Sequence, residues 1–158
     1  MKELDSYLND HLAGSVSALD LLAHWAQLYK GKPLGAFFAD IEAEIRADQN
    51  SLRNLMRSLG IEESNVRRAG AWVAEKIGRA RIMVAGDEPD GLGLVLTLEA
   101  LVIGITGKKL LWRALAANLQ KVEGFDFEEL QRRAEQQIER VEIERIRAVR
   151  RAFGSRSD

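Results

Sequence analysis

Residues 92–105, Leu92-Gly-Leu-Val-Leu-Thr-Leu-Glu99-Ala-Leu-Val-Ile-Gly-Ile105, form a long apolar run. The run is shorter than the ~20 apolar residues that a membrane-spanning helix needs, and Glu99 lies at its centre. We therefore predict a helix that is buried in a protein core. A carboxylate in such a core must be neutral, paired or bound to a cation, because an isolated buried charge costs several kcal/mol.

The composition favours a soluble globular protein. The chain has 158 residues, of which 46% are hydrophobic and 30% charged, and this size suits a single domain over residues 1–158. The net charge of -1 creates no overall electrostatic attraction to nucleic acid or to anionic lipid. The absence of cysteine excludes disulfides, thiolate metal sites and a cysteine nucleophile. The first ten residues are too polar for a signal peptide, so we expect a cytoplasmic protein without a membrane segment.

Apolar residues recur at three-four spacing over most of the chain, which is typical of amphipathic helices. The pattern predicts helices over residues 4–29, 33–59 and 92–119, and a fourth helix that begins after Asp126 and extends to Phe153. Asp126 with Glu129 three residues later is a variant of the capping box. A shorter amphipathic helix is predicted over residues 64–79, and residues 154–158 are expected to be a disordered tail.

The lengths of the connections predict the topology. Short turns join the first helix to the second and the third to the fourth, so each pair should be an antiparallel hairpin. About thirty residues join the second helix to the third, which is long enough for a crossover along a bundle. We therefore predict an all-α four-helix bundle whose long crossover carries the short extra helix.

Each long helix carries polar residues on its predicted inner face, namely His11, Glu44 with Asp48, Glu99, and Gln137. Imidazole and carboxylates on facing helices suit iron, manganese or zinc, so His11, Glu44, Asp48 and Glu99 are the candidate metal ligands. The alternative is a structural polar network. In that network Glu99 pairs with His11, or with an arginine or lysine that reaches in from an edge, and Asp48 lies in water at the edge of its stripe.

Other conspicuous residues have simpler interpretations. Trp25, Trp72 and Trp112 are expected in the core, and Lys108-Lys109 is expected to be a solvated turn of the third helix. The C-terminal arginines follow several glutamates and complement a helix dipole, which makes nucleic-acid binding a weaker interpretation. The sequence contains no Gly-rich phosphate loop, zincin motif or nucleophile elbow.

Three segments carry a family resemblance: Asn9-Asp10-His11-Leu12-Ala13-Gly14-Ser15, Glu42-Ala-Glu44-Ile-Arg-Ala-Asp48, and Leu98-Glu99-Ala-Leu-Val-Ile-Gly-Ile-Thr-Gly-Lys-Lys109. With the hairpin, crossover and hairpin layout, the chain resembles the ferritin-like superfamily, more specifically its small uncharacterised bacterial members. Catalytic members hold two metals with two single glutamates and two Glu-x-x-His motifs. Here Ala47 and Val102 stand where histidines would follow Glu44 and Glu99, so the resemblance implies a degenerate site.

Two functions follow from these observations as predictions. The first is a non-enzymatic or degenerate ferritin-like protein with an interaction or stress-associated role, which forms a homodimer through an apolar helix face and can bind a protein partner. The alternative is a metal-binding protein or metal-dependent oxidoreductase that uses a reduced carboxylate and histidine site in the bundle core. An adaptor that uses the arginine-rich C-terminal segment is a third possibility.

Overall fold

A computed structural model of the chain describes residues 2–64, 91–119 and 122–154. These residues contain four helices and no strand: α1 (Lys2–Leu28), α2 (Pro33–Ser58), α3 (Leu92–Asn118) and α4 (Phe127–Phe153). The predicted all-α class is confirmed for them, and the helix bounds agree with the sequence pattern to within two residues. The short helix predicted over residues 64–79 lies outside the described residues except for Ser64, which is not helical.

The chain divides into two compact units, and each contains one pair of helices. Hairpin 1 consists of α1 and α2, and hairpin 2 consists of α3 and α4. None of the described helices has the length and apolar content that crossing a membrane requires.

The turn of hairpin 1 is fixed by backbone requirements. Gly31 adopts φ +82°, a left-handed conformation that favours glycine, and Pro33 opens α2. Gly35 lies against the carbonyl group of Tyr29, which occupies the space that a Cβ atom would take. Any side chain at this position would therefore force the turn apart.

The core of hairpin 1 is formed by the facing stripes of its helices. The largest buried apolar residues are Leu8, Leu12, Leu21, Leu22 and Trp25 on α1, with Phe38, Ile41, Leu55 and Met56 on α2. Near the turn the ring centroids of Trp25 and Phe38 lie 5.8 Å apart, and Tyr29 stacks on Trp25 at the same distance. This aromatic cluster anchors the closed end of the hairpin.

The second helix of hairpin 2, α4, begins after the predicted N-cap residue Asp126. The side chain of Asp126 accepts a hydrogen bond of 2.9 Å from the backbone N–H of Glu129. Phe127 stacks on Trp112 at a centroid distance of 6.4 Å. The other buried side chains of hairpin 2 are Leu94, Val95, Thr97, Leu98, Leu101, Ile105, Leu111 and Leu115 on α3, with Leu130, Ala134, Gln137, Val141 and Ala148 on α4. Phe153, the last residue of α4, is exposed.

Candidate functional site

The interior of hairpin 2 contains a polar contact between its helices. Gln137 is 1% exposed, as its place on the inner stripe predicted. The ammonium group of Lys108 donates a hydrogen bond to Gln137 Oε1. The prediction that Lys108 belongs to a solvated turn is therefore wrong, because its position on α3 faces α4 and its long stem carries the charge to a buried amide.

Glu99 lies at the edge of hairpin 2 rather than in its core. Its side chain is 44% exposed, and Oε1 accepts a hydrogen bond of 3.3 Å from Nη1 of Arg145. The expectation of a buried carboxylate is wrong, because Glu99 is displaced around α3 from the inner residues Leu98 and Leu101. Of the partners expected for Glu99 in a structural network, an arginine is the one present, and the two side chains meet at the edge of the hairpin and not in its interior.

Arg145 joins Glu99 to a second carboxylate. Its Nε and Nη2 atoms each donate to Glu142 across 2.6 Å, a bidentate geometry that fixes the guanidinium plane. The hydrogen bond from Arg145 lowers the pKa of Glu142, and the reciprocal bond raises the pKa of Arg145. Glu142 and Arg145 are therefore both charged at neutral pH, and Arg145 bridges a carboxylate of α3 and a carboxylate of α4.

Hairpin 1 contains a hydrogen-bonded chain between its helices. Gln49 Nε2 donates to Ser15 Oγ across 2.8 Å, and the Ser15 hydroxyl donates to the carbonyl of Leu12. On the other side Arg53 donates to Gln49 Oε1 at 2.8 Å and pairs with Glu63 at 3.3 Å. Because Ser15 and Gln49 lie opposite each other, this contact sets the register of α1 against α2.

The register locates three of the candidate metal ligands. Asp48 is 2% exposed, which corrects its alternative placement in water, whereas His11 and Glu44 are half-buried. At 1.5 Å per residue, His11 lies about 8 Å from Asp48 and about 14 Å from Glu44 along the helix axes. The rings of Tyr7 and His11 pack edge to face, with their centroids 4.7 Å apart. Burial lowers the pKa of His11, and the nearby charge of Asp10 partly opposes this shift.

Glu99, the fourth candidate ligand, belongs to hairpin 2 and is paired with Arg145. Within residues 2–64, 91–119 and 122–154, no three histidine, aspartate or glutamate side chains are placed to hold one metal ion. The metal site of His11, Glu44, Asp48 and Glu99 stays a prediction, as does the identity of any metal.

The outer face of α3 is apolar and is exposed or half-buried along its length, with Leu96, Ala100 and Gly107 half-buried. We call it the outer stripe, and it consists of Leu96, Ala100, Ile103, Gly107, Leu110, Ala114 and Ala117. Ile103 is 54% exposed and Leu110 51% exposed. The sequence predicted that an apolar helix face mediates dimerisation but did not locate it on α3, because the whole apolar run was interpreted as one buried helix. The signal was present in the alternating four- and three-residue spacing of the stripe, which lies opposite the inner residues of α3.

Comparison of the chain with known protein families, with curated proteins and with solved structures finds no match. The ferritin-like resemblance therefore stays a prediction. The structure agrees with it at the level of helix content and the order of two helical hairpins along the chain.

Proposed function

We propose that this protein is a non-enzymatic interaction protein that acts as a homodimer through the outer stripe of α3. The observation that carries the proposal is the exposure of a continuous apolar stripe on a helix whose opposite face already packs in hairpin 2. A helix that is apolar on both faces is normally covered on both, and continuous exposed apolar surface marks interaction sites.

In bundle enzymes, polar residues on the inner faces of the helices bind metal ions. In this protein such residues instead form contacts between helices, which supports a structural role for them. Lys108 hydrogen-bonds Gln137, and Glu99 pairs with Arg145, so these inner and edge positions of hairpin 2 hold helix-to-helix contacts. This pattern fits a degenerate ferritin-like protein, which is the fold we propose for the complete chain.

The experiment is sedimentation equilibrium of the purified full chain over a wide concentration range, with a matched pair of variants. Ile103 on α3 and Ile143 on α4 are equally exposed, at 54% and 53%. We expect the wild type and Ile143→Lys to dimerise, and Ile103→Lys to be monomeric with unchanged helical content. A wild-type chain that stays monomeric at every concentration would refute the proposal.

A metal-binding function is the second candidate, and the burial of the Asp48 carboxylate favours it. Carboxylates are seldom buried without a cation, a proton or hydrogen-bond donors. Elemental analysis of the metal bound to the purified protein tests this function.

A further inference from the structure

The outer stripe of α3 has the spacing of a coiled-coil seam. Its members alternate four and three residues apart from Leu96 to Ala117, which is the a/d pattern of a heptad repeat. One set of positions carries small residues, namely Ala100, Gly107 and Ala114. The other set carries mainly large residues, namely Leu96, Ile103, Leu110 and, at the helix end, Ala117.

This alternation of sizes specifies an orientation. If a second copy of α3 packs antiparallel about a two-fold axis at residue 105, every large residue meets a small one. Ile103 then faces Gly107 of the other copy, Leu110 faces Ala100, and Leu96 faces Ala114. A parallel pair would instead place Ile103 against Ile103 and leave Gly107 against Gly107, which alternates crowded layers with voids.

The charged residues beside the seam agree with the antiparallel arrangement. Glu99 and Arg113 occupy equivalent flanking positions two heptads apart, with Thr106 between them. The same two-fold axis brings Glu99 of each copy close to Arg113 of the other. In a parallel pair Glu99 would instead face Gly104 of the other copy and Arg113 would face Asn118, so the opposite charges would not meet.

The exposure of these residues fits the same arrangement. Arg113, Ala114 and Ala117 are exposed, and Glu99 is 44% exposed. Gly104, next to the seam, is exposed and has open space where a Cβ atom would be, so the helix backbones can approach closely there. Small residues along a seam permit this close approach.

We infer that a second copy of this chain docks on the outer stripe, with the two α3 helices antiparallel and centred on Ile105. The inference rests on the proposed homodimer and adds its interface, its orientation and its register. In the dimer, each of the three large residues of one copy packs against a small residue of the other copy. Glu99 of each copy also contacts Arg113 of the other, which gives two such contacts in the dimer.

The test is a size exchange within the central layer, measured as the dimer dissociation constant of the full chain. Gly107→Leu puts a large residue opposite Ile103 and is expected to weaken dimerisation at least about tenfold. The double variant Gly107→Leu with Ile103→Ala restores the pairing of large with small and is expected to regain most of the affinity. A parallel pair would not gain from the exchange in this way.

A charge variant keeps the test valid should the glycine substitution disturb folding. Arg113→Glu places like charges together at both ends of the seam and should weaken the dimer about tenfold at low salt. Lys109→Glu makes the same charge change outside the seam and should have little effect. A dimer that is indifferent to Gly107→Leu and Arg113→Glu but is dissociated by Ile103→Lys would overturn the antiparallel arrangement and leave the homodimer through the outer stripe standing, whereas a monomeric wild type would remove both.

Discussion

Glu99 Oε1 accepts a hydrogen bond from Arg145 Nη1 at 3.3 Å, which links α3 to α4 at the exposed edge of hairpin 2. The pair is solvated on one side, since the Glu99 side chain is 44% exposed. Arg145 is held more firmly by Glu142, through two bonds of 2.6 Å. Glu99 is therefore a partner of Arg145 rather than an isolated charge in a core.

This geometry predicts a small effect of Glu99→Gln on stability. The amide keeps an acceptor for Arg145, and solvent screens the lost charge, so the free energy of unfolding should fall by less than about 1 kcal/mol. Urea denaturation at one fixed protein concentration measures the difference, because a dimer makes stability depend on concentration. A loss of about 3 kcal/mol or more would show that Glu99 is a buried charge after all.

The contact between Ser15 and Gln49 predicts a larger effect in hairpin 1. Ser15→Ala removes the acceptor of a buried amide N–H, which should lower the free energy of unfolding by about 1–3 kcal/mol. Ser17→Ala is the control, since the Ser17 hydroxyl only approaches the carbonyl of Ala13 on its own helix at 3.5 Å. Equal losses in the two variants would mean that the contact between helices contributes nothing.

His11 predicts a dependence of stability on pH. Because burial lowers its pKa in the folded protein below the ordinary value of 6.5, the unfolded chain binds the proton more readily. The free energy of unfolding should therefore fall as the pH drops below about 6.5 and continue to fall down to the folded pKa. His11→Gln should reduce this slope. An unchanged slope in His11→Gln would contradict the assignment.

Metal analysis separates the two candidate functions. The proposed interaction protein should retain much less than one ion per chain after incubation with iron(II), manganese(II) and zinc(II) and desalting. The metal hypothesis requires stoichiometric metal that is lost in Asp48→Asn and in His11→Gln, with helical content preserved. Elemental analysis of protein purified without a metal-binding tag gives the answer, and stoichiometric metal of that kind would replace the present proposal.

The sequence predicted the helices well because their determinants are local. Three-four spacing, Pro33 at a helix start and the cap at Asp126 each act within a few residues, and the structure has all of them. The position of Glu99 was harder to predict, because adjacent residues of a helix point in different directions. A shift of one residue along the sequence can therefore move a side chain from the core to the edge. The partners Arg145 and Gln137 depend on the register between two helices, which no local pattern specifies.

The outer stripe was missed for a different reason. An apolar run that covers both faces of a helix hides the periodicity of each face, so a buried helix and a helix with a second packing surface look alike. Only the exposure of Ile103 and Leu110 distinguishes them.

The most direct test of the central claim is a distance between spin labels in the full-length dimer. The chain has no cysteine, so Ala116→Cys gives one label per copy, on a residue of α3 outside the outer stripe. Ala116 lies eleven residues beyond the proposed two-fold centre, so antiparallel helices should separate the labels by about 33 Å along the helix axis. A parallel pair has no axial offset and would bring the labels to within about 20 Å, given helix axes 8–10 Å apart. The long distance, lost in Ile103→Lys, is the predicted result, and a short distance or a monomer would contradict the account.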